Sequence, residues 1–174
     1  MTTHFLHIDP NTLIEEVNLL FEAHSLSALP VCKNNSFIGV LRKEAVEGAS
    51  KEALVSDYQY ALEHYFIPST ATWDAVVEAF ALYQTDMLPV INEGGDFIGY
   101  YHLDEFVLQF IETPFIQEAG YVLILQKDTL NYSLAEVSRI VEENGGKLLG
   151  LYLSNRTENN VLITLKITTN RLSE

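Results

Sequence analysis

The chain has 174 residues, 48% of them apolar, which is enough for one large or two small cores and too apolar for a disordered segment. Its net charge of -14 argues against nucleic acid as a partner, because binding a polyphosphate needs clustered Lys and Arg. No apolar run approaches the roughly 20 residues that span a bilayer, and MTTHFLHIDP lacks a basic segment followed by an apolar one, so cytoplasm is the expected compartment and no membrane partner is expected. The single cysteine, Cys32, excludes an internal disulfide and, beside Val31, reads as an inert buried thiol. Twelve Asp or Glu and no Lys or Arg fall from Glu52 to Gln126. That stretch reads as a solvated acidic surface, and it offers a bound phosphate no cationic side chain.

The chain opens with a short extended segment, FLHI, followed by DPNTLIEEVNLLFEAHSLSALPV. Asp9 or Asn11 is the expected helix cap, Pro10 suits the first turn, and Leu13, Val17, Leu20 and Phe21 form one apolar stripe. A strand ALPVC, a polar turn at 33–36, a strand at 37–41 and a second helix from about Arg42 complete the unit. The order then recurs. Phe66 and Ile67 form the opening strand, and Ser69, Thr70 or Thr72 caps a helix carrying Trp73, Val76, Val77 and Phe80. MLPVI, a Gly-Gly turn at 92–96, FIGYY and a closing helix over 103–111 follow. Pro30 and Pro89 stand 59 residues apart, Gly39 and Gly99 stand 60 apart, and the extra residue falls in the turn, where an insertion is cheap.

Between the copies lies a helical linker with Tyr58, Tyr60 and Tyr65, whose spacing reads as packing with a dimer contact as the alternative. Pro114 and Gly120 mark a boundary. The last unit reads as a strand over 121–126, a helix capped by Ser133 with Glu136 three residues on and stopped at Gly145 and Gly146, and a hairpin turning over 155–160. The helix stripe is Leu134, Val137, Ile140 and Val141. TNRLSE then reads as the start of a helix that is not continued.

The expected fold class is α+β. Two β-α-β-β-α units, each with an h-P-V strand, a polar turn, h-h-G-h-h and a helix, resemble a tandem pair of CBS domains of the α/β type. The final β-α-β-β resembles an incomplete ferredoxin-like unit of the ACT type, and the whole order is similar to small acetoin-utilisation-type and Bacteroidetes-type regulatory proteins. On this resemblance the domains are expected at 1–50 (first repeat), 51–64 (helical linker), 65–112 (second repeat), 113–120 (linker) and 121–174 (ACT-like).

The resemblance implies a non-catalytic regulatory module with no required cofactor. It would sense an adenosine-containing ligand, such as AMP, ATP or S-adenosylmethionine, and assemble as a homodimer through the CBS pair, the ACT-like segment or both. A structural or oligomerisation module with degenerate clefts is the alternative. The family's ligand motif, G-h-x-T/S-x-x-D, places a hydroxyl on phosphate and a carboxylate on the ribose diol. Here Arg42 and Ala45 take those two places in the first copy, and His102 and Glu105 in the second. Ala45 cannot hold a diol; Glu105 keeps a carboxylate that accepts from both hydroxyls. Arg42 reads either as a phosphate contact or as an exposed helix-start residue, and His102 either as a partner to a phosphate or ribose oxygen or as a structural residue. The resemblance places the adenine against the backbone at Ala28 and Leu29 or at Met87 and Leu88, with Ile67 in the second cleft. Amino-acid binding by the tail is not expected, because residues 127–133 lack the glycine usual in that turn.

Catalysis finds no support in the sequence. His4, His7, His24, His64 and His102 show no metal-ligand spacing, and Asp104 and Glu105, adjacent on a helix, point apart. No G-x-S-x-G, phosphate-binding loop or G-x-G-x-x-G is present.

Overall fold

The computed structural model describes residues 5–169, so His4 and most of the TNRLSE segment lie outside the described residues. The chain divides into two compact units, Met1–Leu108 and Gln109–Glu174. No helix among the described residues is long and apolar enough to cross a membrane.

The first unit is built twice. In the first half, α1 (Ile14–His24) leads to β1 (Ala28–Lys33) and β2 (Ser36–Arg42), an antiparallel pair closed by a two-residue turn. Asn34 and Asn35 take that turn at φ 50° and 68°, the left-handed region that asparagine tolerates best among residues with a side chain. In the second half, α2 (Trp73–Tyr83) leads to β4 (Met87–Ile91) and β5 (Phe97–His102), again antiparallel. An opening residue pairs in parallel with the first strand of each hairpin: Ile8 with Val31, and Ile67 of β3 (Ile67–Pro68) with Val90.

The internal symmetry is close. The two helices begin and end 59 residues apart, both hairpins carry an irregularity after the strand valine (Val31, Val90), and both helices end on a left-handed residue, Ser25 and Gln84. Each of those residues returns its N–H to the helix, to Phe21 O and Phe80 O. The halves touch at their turns, where Ser36 bridges Asp96 and the Phe97 N–H reaches Asn35 O at 2.9 Å.

One core serves both halves, with Ile14, Val17, Phe21, Leu29, Val31 and Val40 from the first and Val76, Phe80, Met87, Leu88 and Val90 from the second. Gly39 is required by a close approach. The linker residue Glu63 pairs with Val40 through two backbone bonds of 2.8 and 2.9 Å, and a Cβ on Gly39 would meet Leu62 Cβ at 3.0 Å and Glu63 O at 3.1 Å.

Several local expectations are corrected. Asp9 does not cap α1; its Oδ1 accepts from the Asn11 N–H at 2.8 Å in a turn ahead of the helix, which starts at Ile14 behind an uncapped Leu13. The stripe is therefore Ile14, Val17 and Phe21, with Leu13 44% exposed. The second helix of the first copy is a single 3-10 turn, Lys43–Val46, followed by Gly48 at φ 76°. The linker carries two 3-10 turns within Val55–Ala61, kinked at Tyr58 (φ -108°, ψ 17°), and Tyr60 is exposed while Tyr65 beyond them is buried. On α2 the buried residues are Val76, Ala79 and Phe80, and Trp73 and Val77 are exposed. Thr72 stands at the N-cap position, but its side chain makes no cap bond. Its hydroxyl pairs instead with the Asp74 carboxylate, which this bond holds below its usual range.

Cys32 is buried, and burial pushes its thiol up to about 12. A thiol reagent is expected to leave the native protein unmodified and to take up one equivalent once it is unfolded; rapid native modification would contradict the burial. The fold favours the neutral thiol, so its contribution is complete below the unfolded value near 9.0 and is lost as pH climbs toward 12.

The second unit comprises α4 (Pro114–Gln117), β6 (Tyr121–Asp128), α5 (Leu134–Glu143), β7 (Lys147–Arg156) and β8 (Asn160–Thr168). β8 lies between β6 and β7 and is antiparallel to both, the strand order of the first three strands of a ferredoxin-like sheet. Ser133 caps α5 by accepting the Glu136 N–H at 3.2 Å. Val137 of that helix packs with Val161, Ile163, Leu165 and Ile167 of β8. Ile140, expected in the stripe, is exposed. Gly120 stands where a Cβ would meet the Ile167 carbonyl oxygen at 2.5 Å. Gly120→Ala is expected to cost about 1–3 kcal/mol in chemical denaturation, since the backbone of β8 must shift; an unchanged midpoint would contradict the packing.

Candidate functional site

The site expected in the second repeat is assembled at the corner where β5 ends and α3 (Leu103–Ile111) begins. Met87, the first residue of β4, is the register partner of His102, and the Leu103 N–H donates to Asp86 O at 2.8 Å, docking the helix start onto the head of β4. His102 Nδ1 accepts the Asp104 N–H at 3.2 Å, so the imidazole caps α3 and its neutral form carries the proton on Nε2. Glu105 stands one residue further on and is half-buried. Tyr100 is buried beside it: burial first, then the Glu105 charge, then that of Asp86, raises its phenol. The corner thus holds a ring N–H, a carboxylate and a phenol close to the Met87–Leu88 backbone.

Ile67, Met87 and Leu88 are buried, as are Ala28 and Leu29 in the first copy, so these five contribute backbone or an apolar wall rather than an exposed side chain. The Met87 backbone is already engaged. Thr85 Oγ1 donates to Met87 O at 2.9 Å and accepts from Met87 N at 3.3 Å, and the Tyr65 hydroxyl lies 2.9 Å from the same oxygen.

The equivalent corner of the first repeat is different. Ala28 is the register partner of Arg42, and the guanidinium reaches across to the second repeat. Nε donates to Glu63 Oε1 at 2.7 Å, NH2 to Tyr83 O at 2.7 Å and NH1 to Gln84 O at 3.3 Å. The last two are carbonyls at the end of α2, where unsatisfied oxygens and the helix dipole favour a cation. The Glu63 bond, the largest cause, holds the guanidinium above its ordinary range, and the group also lies 5.7 Å from the centre of the Tyr65 ring, which stacks on Tyr83 at 4.7 Å. Arg42 is therefore a paired cation. Ala45 packs on the core and presents no ligand group.

Sequence reasoning did not find the Arg42 bridge, Thr85, Tyr100 or Asp86. Only the constant offset between the repeats, which places Asp86 opposite Ser27, carried a signal for any of them. A groove of about 440 Å³ lies elsewhere, in the second unit, lined by Leu123, Ile140, Val141 and Ile167 among others. Its apolar walls hold none of the titratable groups gathered at the second-repeat corner.

Residues 1–50 match the family model of the CBS domain. A CBS domain pair/ACT domain protein from Thermotoga maritima superposes with a TM-score of 0.57 at 20% identity, over 64% of this chain and 92% of that one. CBSX2 in complex with AMP gives 0.52 at 15% identity, over 62% and 87%. The cytosolic domain of the Mg2+ channel MgtE in complex with ATP gives 0.52 at 19% identity, over 63% and 46%. Likenesses at these identities show the fold. The inosine-5'-monophosphate dehydrogenase of Thermoplasma acidophilum is 26% identical over 92 residues; the match takes in 53% of this chain and spans about a fifth (19%) of that curated relative. The first repeat thus matches the CBS domain, and the first unit has the fold of the CBS-domain-pair structures on which it superposes.

Proposed function

We propose that the CBS pair is a non-catalytic regulatory module that takes one adenosine-containing ligand, in the cleft of the second repeat. The carrying observation is the asymmetry of the two corners. His102 stands beside Met87 with Glu105 three residues on in the first turn of α3, whereas Arg42 fills the first corner with an internal bridge and Ala45 offers no acceptor. In this reading Glu105 accepts from the ribose diol, the Nε2–H of His102 donates to an oxygen of the ligand, and Ile67 and Leu88 form the wall against the base. That solved structures of the same fold hold AMP and ATP supports the ligand class. Repeats at 1–50 and 65–112, joined by 51–64, with 113–120 leading to an ACT-like 121–174, complete the proposed organisation. The exposed Trp73, Val77, Val107 and Leu108 supply an apolar face for a second copy of the CBS pair, and the protein acts in the cytoplasm.

A second reading, a structural module that binds no nucleotide, draws support from the Met87 backbone being already bonded by Thr85. Thermal unfolding with AMP, ADP, ATP and S-adenosylmethionine separates the two. A binder is stabilised by RT ln(1 + [L]/Kd), so at least one of the four should raise the midpoint. Four flat responses would establish the structural reading instead.

A further inference from the structure

The sheet of the second unit has two edges, and they are built differently. β7, at one edge, is broken by register irregularities between Leu148 and Gly150 and between Leu153 and Asn155, and it ends on the polar residues Ser154, Asn155 and Arg156. Phe115 of α4 lies over Gly150, where a Cβ would meet its ring at 2.5 Å. Irregularities, polar ends and a covering segment are the devices that keep an edge from pairing with another strand.

β6, at the other edge, has none of them. Among the described residues it pairs with β8 alone, in unbroken register from Tyr121 to Asp128, which leaves its outer row of backbone N–H and C=O groups to be met by another strand. Tyr121, Val122, Leu123 and Ile124 are all exposed, and the first charge in the strand is Lys127. Successive side chains alternate between the faces of the sheet. Leu125 packs on the Val137 cluster and Leu123 lines the groove with Ile140 and Val141, so both face α5. Val122 and Ile124 face the other way.

The order of residues in β6 fits its own copy. Run antiparallel with Ile124 opposite Ile124, the strand sets Leu123 against Leu125, Val122 against Gln126 and Tyr121 against Lys127 at both ends. Asp128 then falls opposite Gly120. Centring the pair on Leu123 instead would set Asp128 against Glu118, two like charges directly across. Centring it on Leu125 would set Lys127 against Leu123 and Asp128 against Val122. An offset by a single residue turns the two α5 helices to opposite faces, so the grooves beside Leu123 no longer meet.

We propose that β6 joins two copies of this chain, edge to edge and antiparallel, about a two-fold axis at Ile124. The two sheets become one, and Leu123 and Ile140 of each copy close the groove of the other. This contact uses residues other than Trp73, Val77, Val107 and Leu108, and it stands whether or not the CBS pair takes a ligand.

Cysteine crosslinking of the full chain reads the register. Ile124→Cys places two thiols opposite each other with Cα atoms about 4.5–5.5 Å apart, within disulfide reach, so mild oxidation should give a covalent dimer. Asp128→Cys, on the same edge but opposite Gly120, should run as a single chain on a denaturing gel, and the buried Cys32 adds no background. Sedimentation supplies a second reading. Ile124→Lys, at a position 65% exposed, should keep the fold, set two ammonium groups against each other and weaken self-association at least about tenfold. Equal crosslinking of both cysteine variants, or none in either, would overturn the proposal. So would identical sedimentation of the parent and Ile124→Lys, the result expected if copies meet only through the Trp73 and Leu108 face. A parent that sediments as a monomer would overturn it as well, and would leave the edge to an extended segment of a different protein.

Discussion

Arg42→Ala is expected to lower the stability of the protein by about 2–3 kcal/mol, read as a thermal midpoint lowered by roughly 4–12 °C. The side chain is 19% exposed and makes three hydrogen bonds, two of them to carbonyls at the end of α2. Its removal leaves those carbonyls and Glu63 without a donor and strips a cation from the Tyr65 ring. Glu63 is 45% exposed, so water takes up part of its loss, and the larger share of the effect lies with the helix end. Arg42→Lys should recover only a part, because one ammonium cannot span a carboxylate and two carbonyls in the fork that the guanidinium makes. A midpoint within a degree of the parent's would show that the bridge contributes nothing to holding the repeats together.

On the proposed reading, Glu105→Ala is expected to weaken binding of an adenosine-containing ligand by roughly 10–100-fold, the range for losing hydrogen bonds to a charged group. The fold should be unaffected, since the position lies in the first turn of α3, where alanine is a good helix former. Glu105→Gln, which keeps the length and one acceptor, should fall between. Titration of both variants with the tightest-binding of the four nucleosides and nucleotides checks this. An affinity unchanged in Glu105→Ala would take the ribose contact away from this residue.

Both expectations depend on features that local sequence shows unevenly. The repeat was legible because LPV, the turn and the following glycine recur in a fixed frame, and the helices keep that spacing over Ile14–His24 and Trp73–Tyr83. The β-α-β-β order of the tail was legible from a cap, a Gly-Gly stop and an alternating final strand. The second helix of the first copy was misjudged because Arg-Lys-Glu-Ala-Val has helical composition, while the Gly48 turn leaves room for only four residues, Lys43–Val46. The α1 cap was misplaced because Asp9 has a nearer use, the turn through the Asn11 N–H.

The chemistry of the corners was legible in part. Glu105 and His102 can be placed by motif, but from sequence Arg42 reads as either a phosphate contact or an exposed residue. Its actual partners lie 41 and 42 positions away at the end of α2 and 21 away in the linker, and no periodicity reports them. Asp86 escaped for the same reason: its seam contact is made with a residue 59 positions earlier.

The proposed ligand is received by a single cleft, in the second repeat. Amide chemical-shift mapping of the isotopically labelled protein, titrated with adenosine and with S-adenosylmethionine, tests it directly. Saturable shifts are expected at Ile67, Met87, Leu88, Tyr100, His102 and Glu105, with the corner at Ala28, Leu29, Arg42 and Ala45 unmoved. Shifts centred on that first corner, or none at either at millimolar ligand, would contradict it.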